Sequence, residues 1–130
     1  MIEFHLDPQS GVATYLQIVR QVKDALRLGT LDVGDQLPTV REVVADLAVN
    51  PNTVAKAYRD LEREGLVVAR QGRGTFVAST LAAASLEYHA ELRQELELWL
   101  ERALRAGLDE DSIRALISTT LRESLARRVA

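Results

Sequence analysis

The sequence predicts a mainly α fold with a small β wing, in which a winged helix-turn-helix domain at residues 1–78 precedes a short two-helix domain at residues 79–130. Three observations lead to this prediction. Two helix-start signals follow one another closely at Thr39 and Asn50, a glycine-tipped hairpin pattern comes directly after them, and small uncharged residues then lead into a long amphipathic stretch.

The first of the two central helices is predicted over residues 40–47. Thr39 can accept a hydrogen bond from an amide of the first turn, and Glu42, three residues later, can complete a capping box. The apolar residues that follow repeat at three- and four-residue spacing, which is typical of one buried helical face. They are Val40, Val43, Val44 and Leu47.

The second central helix is predicted over residues 51–64. Asn50 is a favoured N-cap, Pro51 suits the first helical position, and Gly65 can end the helix. Its inward face consists of Val54, Ala57, Tyr58 and Leu61. Its outward face consists of Asn52, Thr53, Lys56, Arg59, Asp60 and Arg63.

A β hairpin is predicted next, with strands at residues 66–70 and 75–78 and a tip at residues 71–74. Arg73 lies between Gly72 and Gly74, where the backbone can bend sharply and approach a surface. Such an arginine can reach a phosphate or a minor groove, or it can be a solvated residue of an ordinary turn. Its position directly after a two-helix unit favours the wing of a DNA-reading module.

The sequence motifs of this region also resemble those of a known family. The capping box, the NPNTV helix start, the LEREGL exit and the GRGTFV wing fall in the register of the winged domain of GntR-family bacterial transcription regulators, which residues 14–78 closely resemble. The tail is similar to that of the YtrA-type subfamily. The resemblance implies a homodimeric DNA-binding regulator, commonly a repressor, with DNA-facing positions at Arg41, Asn52, Thr53, Lys56, Gly72 and Arg73.

The full candidate DNA-binding set adds the two caps and one more cation of the outward face. It comprises Thr39, Arg41, Asn50, Asn52, Thr53, Lys56, Arg59, Gly72 and Arg73. Asn52 and Thr53 are expected near base edges or phosphate, and Lys56 is positioned for a guanine or a phosphate.

Two residues depart from the family pattern. Ala48 occupies the interhelix turn where the family usually has glycine, and Ala13 stands where a proline often precedes the first helix. A non-glycine residue at positive φ in that turn would cost about 1 kcal/mol, which weakens the turn without forbidding it.

Composition limits the class of protein. The chain has 130 residues, a net charge of −3 and no cysteine, so it has no disulfides or Cys-zinc chemistry. No apolar run approaches the roughly 20 residues of a membrane span, and no signal peptide is evident. We therefore expect a bacterial cytoplasmic protein that is associated with the nucleoid when it is bound to DNA. The segment from Asn50 to Gly74 carries five cations against three acids, which predicts a specific binder with weak non-specific affinity.

Three further elements precede the central helices. Ile2, Phe4 and Leu6 alternate with polar residues, which predicts a short half-buried strand. A helix is predicted over residues 13–28 and should complete a three-helix core. In the connector at residues 30–36, Leu31 and Val33 are expected to contact that core, together with the following Leu37.

The tail is predicted to form helices over residues 86–106 and 110–128, with Asp109 as the second cap. Two helices cannot alone bury this much apolar surface, so they either fold back on the winged domain or pair with the same helices of a second chain. We favour a homodimer through the C-terminal helices. Its candidate contacts are Leu92, Leu96, Trp99, Ala103, Ile113, Leu116, Ile117 and Leu121.

No enzyme chemistry is predicted. His5 and His89 are isolated from any metal-ligand spacing, and no catalytic or nucleotide-binding motif occurs, so we expect no metal and no cofactor. The preferred function is a sequence-specific transcription regulator. The two alternatives are a winged-helix protein-interaction adaptor that no longer reads DNA and a truncated MocR-type regulator. The expected partner is a double-stranded DNA operator; whether a small-molecule effector exists is left open.

Overall fold

The computed structural model describes residues 1–82 and 86–129, apart from the side chains of residues 86 and 87. The chain divides into two compact units, Met1–Leu86 and Glu87–Ala130. The boundary predicted at residues 79–85 lies partly outside the described residues, because residues 83–85 are not among them.

The first unit is a winged helix-turn-helix, as the sequence predicts. Its elements are α1 (Thr14–Leu28), α2 (Val40–Leu47), α3 (Pro51–Arg63), β1 (Val67–Arg70) and β2 (Gly74–Val77). The core lies between the inward faces of the three helices and the hairpin. The largest side chains fully removed from solvent are Ile18, Leu26, Leu37, Leu61, Val22 and Val54.

Both central helices begin at the predicted caps. Thr39 Oγ1 accepts a hydrogen bond from the Glu42 amide at 3.1 Å, and Glu42 Oε1 accepts one from the Thr39 amide at 3.4 Å, which completes the capping box of α2. Asn50 Oδ1 accepts from the Asn52 amide at 2.8 Å at the start of α3. These local bonds fix where α2 and α3 begin.

The turn between α2 and α3 is made without glycine. Ala48 has φ 53° and ψ 40°, the left-handed conformation, and its amide donates to the Val44 carbonyl at 3.0 Å. Ala48 is the only non-glycine residue with positive φ in the part of the chain that the structure describes. The turn therefore keeps its shape at the cost of local strain.

The hairpin is antiparallel, with Val67 paired to Val77 and Arg70 paired to Gly74. The connector runs along the open side of β2. The Leu37 amide donates to the Thr75 carbonyl at 2.9 Å, and the Val77 amide donates to the Asp35 carbonyl at 2.8 Å.

Leu31 and Leu37 are buried, as predicted for the connector and the residue after it. Val33 is 56% exposed, so the prediction that it contacts the core is wrong. Gln36 of the connector forms an isolated antiparallel bridge with Phe76 of β2, and Val33 lies in the turn before it, where its side chain faces solvent.

The predicted N-terminal strand is not formed. Phe4 is buried and Ile2 and Leu6 are half-buried, as the alternation implies, but no strand in the described part of the chain pairs with this segment. Two glutamines of α1 take the place of a partner strand. Gln21 bonds both backbone groups of His5 at 2.9 and 2.7 Å.

Gln17 bonds both backbone groups of Asp7 at 2.8 Å. A side-chain amide carries the same donor and acceptor as a peptide group, which is why it can substitute for a ladder. The predicted alternation of burial is therefore real, and only its assignment to a strand is wrong.

The second unit consists of α4 (Leu86–Arg105) and α5 (Glu110–Val129). Asp109 Oδ1 caps α5 by accepting from the Ser112 amide at 2.8 Å. In the single chain, Ile113 of α5 is buried at 8% exposure, but most of the apolar stripe that follows it is exposed, as expected if two helices alone cannot bury this surface. The exposed members are Leu116, Ile117, Thr120 and Leu121, and Leu125 is 54% exposed.

Candidate nucleic-acid interface

The outward stripe of α3 begins two residues after the cap. Asn52, Lys56 and Arg59 follow at four- and three-residue intervals, and all three side chains are exposed, whereas Thr53 beside them is half-buried. The opposite face holds Val54, Ala57, Tyr58 and Leu61 in the core. Burial of that face leaves the polar stripe directed away from the domain, which is the arrangement needed to enter a groove.

The acids of α3 are engaged near its C-terminal end. Asp60 pairs with Arg63 at 3.4 Å, and Glu64 pairs with Lys23 of α1 at 3.0 Å. Glu62 Oε2 accepts a hydrogen bond from the Ala69 amide at 3.0 Å. Each carboxylate thus has a local partner.

Several cations of the first unit have no carboxylate partner among the described residues. Among the described residues, no ion pair holds Arg41, Lys56, Arg59, Arg70 or Arg73. Positive charge without a carboxylate partner therefore lies on the outward stripe of α3, on α2 and on the hairpin. This local surplus exists although the whole chain has a net charge of −3.

Lys56 has an aromatic contact that the sequence did not suggest. Its Nζ lies 3.9 Å from the centroid of the Tyr15 ring, within the range of a cation–π interaction. Tyr15 is the second residue of α1 and is half-buried. The start of α1 therefore lies beside the middle of the outward stripe of α3.

The wing presents Arg73 at its tip. Gly72 and Gly74 have φ values of 75° and 120°, and the Arg73 amide donates to the Arg70 carbonyl at 2.9 Å, which closes the turn. The Arg73 side chain is exposed. Both flanking glycines are required, since these backbone conformations are rarely adopted by other residues.

Gln36 of the connector braces this tip. Its Nε2 donates to the Arg73 carbonyl at 3.1 Å, and a Cβ placed on Gly74 would lie only 2.7 Å from the same Nε2. The absence of a side chain at Gly74 is what allows Gln36 to approach. The orientation of the wing is therefore tied to the connector as well as to its own strands.

Two candidate residues have capping roles that occupy part of their side chains. Thr39 Oγ1 accepts from the Glu42 amide and also donates to Glu42 Oε1 at 3.1 Å. Asn50 uses Oδ1 for its cap and is exposed, so its amide NH₂ is available to another acceptor. Arg41, in the first turn of α2, is exposed.

A buried tyrosine fixes α3 against the start of α2. Tyr58 OH donates to the Pro38 carbonyl at 2.6 Å, and the ring is 6% exposed. Burial, and then the nearby negative charge of Glu42, raise the pKa of Tyr58 well above its ordinary value, so the phenol stays protonated and keeps donating. This bond sets the relative position of the two helices whose outward residues form the candidate interface.

Sequence reasoning missed the roles of Tyr15 and Gln36. The apolar stripe of α1 includes Tyr15, which made it look like an ordinary core residue, and Gln36 lies in a connector without a motif. Tyr15 contacts Lys56, which lies 41 positions later in the chain, and Gln36 contacts Arg73, which lies 37 positions later. The spacing of residues along one element cannot reveal contacts between such distant segments.

The second unit exposes most of the apolar side chains that the sequence grouped as dimer contacts. Ala103 and Ile113 are each 8% exposed, but Leu92 and Leu121 are 58% and 56% exposed. Between α4 and α5 lies an open groove of about 460 Å³. It is lined by Leu96, Trp99, Leu116, Ile117, Thr120, Leu121 and Ser124.

Comparison with known proteins identifies the family. Residues 14–77 match the sequence-family model described as bacterial regulatory proteins, gntR family. An HTH-type transcriptional repressor, YtrA of Bacillus subtilis strain 168, is 35% identical over 109 residues, which are 83% of this chain and 84% of that protein. The chain belongs to the GntR family. The relatives that this GntR-family chain matches are transcriptional regulators rather than enzymes.

Two solved structures resemble this GntR-family chain. YtrA from Sulfolobus acidocaldarius, a GntR-family transcription factor, has a TM-score of 0.53 at 30% identity and covers 92% of this chain and 97% of its own. The DNA-binding domain of AraR in complex with operator ORX1 has a TM-score of 0.51 at 26% identity, covering 60% of this chain and all of its own. Together these confirm the winged-helix fold and the YtrA-type resemblance.

In residues 1–82 and 86–129, no group of three or more histidine or carboxylate side chains is placed to hold a metal ion. None of the helices in those ranges combines the length and apolar character needed to cross a bilayer.

Proposed function

We propose that this chain is a homodimeric transcriptional repressor in the bacterial cytoplasm, which binds a pseudo-palindromic operator on the nucleoid through α3 and the wing. The observation that carries the proposal is the charge arrangement of the first unit. The acids of α3 are bound to Arg63, Lys23 and the Ala69 amide, while Lys56, Arg59 and Arg73 have no carboxylate partner in the described chain. Phosphate binding uses cations of this kind.

In this proposal α3 lies in the major groove. Asn52 and Thr53, in its first turn, face base edges, since side-chain amides and hydroxyls can pair with the groove edge of a base. Arg41 contacts the backbone or groove from α2, and Arg73 reaches the adjacent minor groove or a phosphate. The similarity to the AraR domain, which was solved with an operator, supports this docking.

Repression is supported by the relative YtrA of Bacillus subtilis, which is a transcriptional repressor. A bound dimer that covers a promoter would exclude other proteins from the same DNA, and no catalytic group is needed for that. Ala48 does not favour the adaptor alternative, because this alanine adopts the left-handed turn conformation between the two helices.

Dimerisation is supported by the exposure of the tail. Leu96, Leu116 and Ile117 line the open groove between α4 and α5 and are 48%, 45% and 40% exposed in the single chain. Contiguous apolar surface of this kind marks an interaction site. A two-fold partner would cover it and would hold two copies of α3 for half-sites about 34 Å apart.

The test combines light scattering with DNA binding. The probe is a duplex enriched by the wild-type protein from a randomised pool. We expect a dimer for the wild type, a monomer for Leu116→Glu, and a loss of affinity of about a hundred-fold for that variant, because two linked half-site contacts become one.

Leu98→Glu is the matched control. Leu98 is 56% exposed but lies outside the stripe of Leu92, Leu96 and Trp99, so this variant should remain a dimer with wild-type affinity. A wild-type monomer at micromolar concentration would contradict the dimer. Enrichment of no sequence from the pool would contradict operator binding and favour the adaptor.

A further inference from the structure

The cation–π contact between α1 and α3 lies within the proposed DNA-binding surface. Lys56 Nζ is 3.9 Å from the centroid of the Tyr15 ring. Tyr15 belongs to the same stripe of α1 as the buried Ile18 and Val19, so packing anchors its ring. A free lysine samples many rotamers, but attraction to this ring restricts the position of the Lys56 ammonium.

The contact directs the ammonium sideways, toward α1. A lysine that reads a guanine must extend from its helix to the floor of the major groove. Lys56 instead has its ammonium over a residue of the neighbouring helix, at the side of α3. One face of the ammonium is covered by the ring, and the other N–H groups can still donate to an oxygen. The phosphates border the groove, so an ammonium held at the side of α3 meets a phosphate rather than a base.

We propose that Tyr15 is a positioning residue that holds Lys56 for a phosphate contact, so that Lys56 adds affinity without reading sequence. This inference rests on the proposed function, in which α3 lies in the major groove. It assigns sequence reading on α3 to the polar groups of the first turn, Asn52 and Thr53. It also gives Tyr15 an effect on DNA binding that acts through Lys56.

The experiment measures binding to two duplexes, one enriched from a randomised pool by the wild-type protein and one with the same bases scrambled. Lys56→Met should weaken both by the same factor and lower the slope of log affinity against log salt by about 1. This arm needs no change at Tyr15, so it holds even if a Tyr15 variant folds poorly.

The Tyr15 variants test the coupling. Tyr15→Phe keeps the ring and should bind as the wild type does. Tyr15→Leu should weaken binding by about two- to five-fold, the range of an exposed cation–π contact. The same change in a Lys56→Met background should cause no further loss, because the ammonium it positions is gone. Thermal unfolding of each variant checks that its fold is retained.

Three outcomes would overturn the inference while the proposed function stands. Loss of affinity for the enriched duplex alone in Lys56→Met would make Lys56 a base reader. An equal effect of Tyr15→Leu with and without Lys56 would make Tyr15 a packing or direct contact. Tighter binding by Tyr15→Leu would mean that the ring withholds Lys56 from DNA. Failure of the wild type to enrich any duplex would overturn both the inference and the proposed function.

Discussion

The Tyr58 hydroxyl donates a 2.6 Å hydrogen bond to the Pro38 carbonyl, which joins the middle of α3 to the residue before the cap of α2. The capping box at Thr39 begins directly after this carbonyl. The bond therefore links the packing of α3 to the position at which α2 starts, and both helices carry candidate DNA contacts.

Removal of this hydroxyl tests its contribution to stability. Tyr58→Phe keeps the buried ring but leaves the Pro38 carbonyl without its donor, so we expect a loss of about 1–3 kcal/mol in the free energy of unfolding. Urea denaturation followed by circular dichroism measures it. Tyr88→Phe is the control, because Tyr88 is 57% exposed and its hydroxyl can bond to water. Equal stability of wild type and Tyr58→Phe would show that the bond contributes nothing.

The strained turn at Ala48 should improve with glycine. The left-handed conformation costs alanine about 1–2 kcal/mol, and glycine gives back part of this through its greater freedom in the unfolded chain. We expect Ala48→Gly to raise the free energy of unfolding by about 0.5–1 kcal/mol.

Ala45→Gly is the control for that experiment. Ala45 is exposed inside α2, so the substitution there should destabilise by about 1 kcal/mol. If both substitutions destabilised the protein equally, the turn would not be strained.

The brace at the wing should affect DNA binding more than stability. Gln36→Ala removes the donor to the Arg73 carbonyl, which frees the tip that carries Arg73. We expect an affinity loss of about two- to ten-fold for an enriched duplex, equivalent to one net hydrogen bond.

The loss should vanish in an Arg73→Ala background, since the wing then has no cation to position. Gln71→Ala changes an exposed glutamine of the same tip and should leave binding unchanged. An undiminished effect of Gln36→Ala without Arg73 would separate Gln36 from the wing.

The cap of α5 predicts a pH dependence. Hydrogen bonds from the Ser112 side chain and then from its amide hold the pKa of Asp109 below its ordinary value of 3.8. The folded chain thus favours the ionised form, so the stabilisation is present above pH 3.8 and is lost as the pH falls through the lowered pKa.

Asp109→Ala should therefore lower the melting temperature near neutral pH, and its difference from the wild type should shrink in acid. Asp109→Asn is the control, because asparagine caps equally well but does not titrate. A gap between wild type and Asp109→Ala that stays constant down to the most acidic pH would contradict the role of the charge.

The sequence predicted the features that depend on near neighbours. Thr39 with Glu42, Asn50 with Pro51, and the glycines of the wing each specify a cap or a turn within a few residues. The starts of α2 and α3 were therefore predicted correctly, and the end of α3 and the ends of the two strands were predicted to within one residue. Periodicity likewise identified the inward face of α3, because burial repeats with the helix.

What the sequence could not supply were partners from distant parts of the chain. The N-terminal alternation predicted a strand, but a strand also needs a neighbour, and here the glutamines of α1 take that place. Lys56 could be assigned to the outward face of α3, whereas the Tyr15 ring beneath it depends on how α1 crosses α3. Such contacts follow from tertiary packing rather than from local pattern.

The central claim is that two copies of α3, held by paired tails, bind one operator together. Footprinting of the wild-type protein on an enriched duplex tests this most directly. We predict two protected half-sites related by a dyad and centred about 10 base pairs apart or a multiple of that spacing, both lost together in Leu116→Glu. A single protected half-site, or protection that does not depend on the tail, would contradict the account.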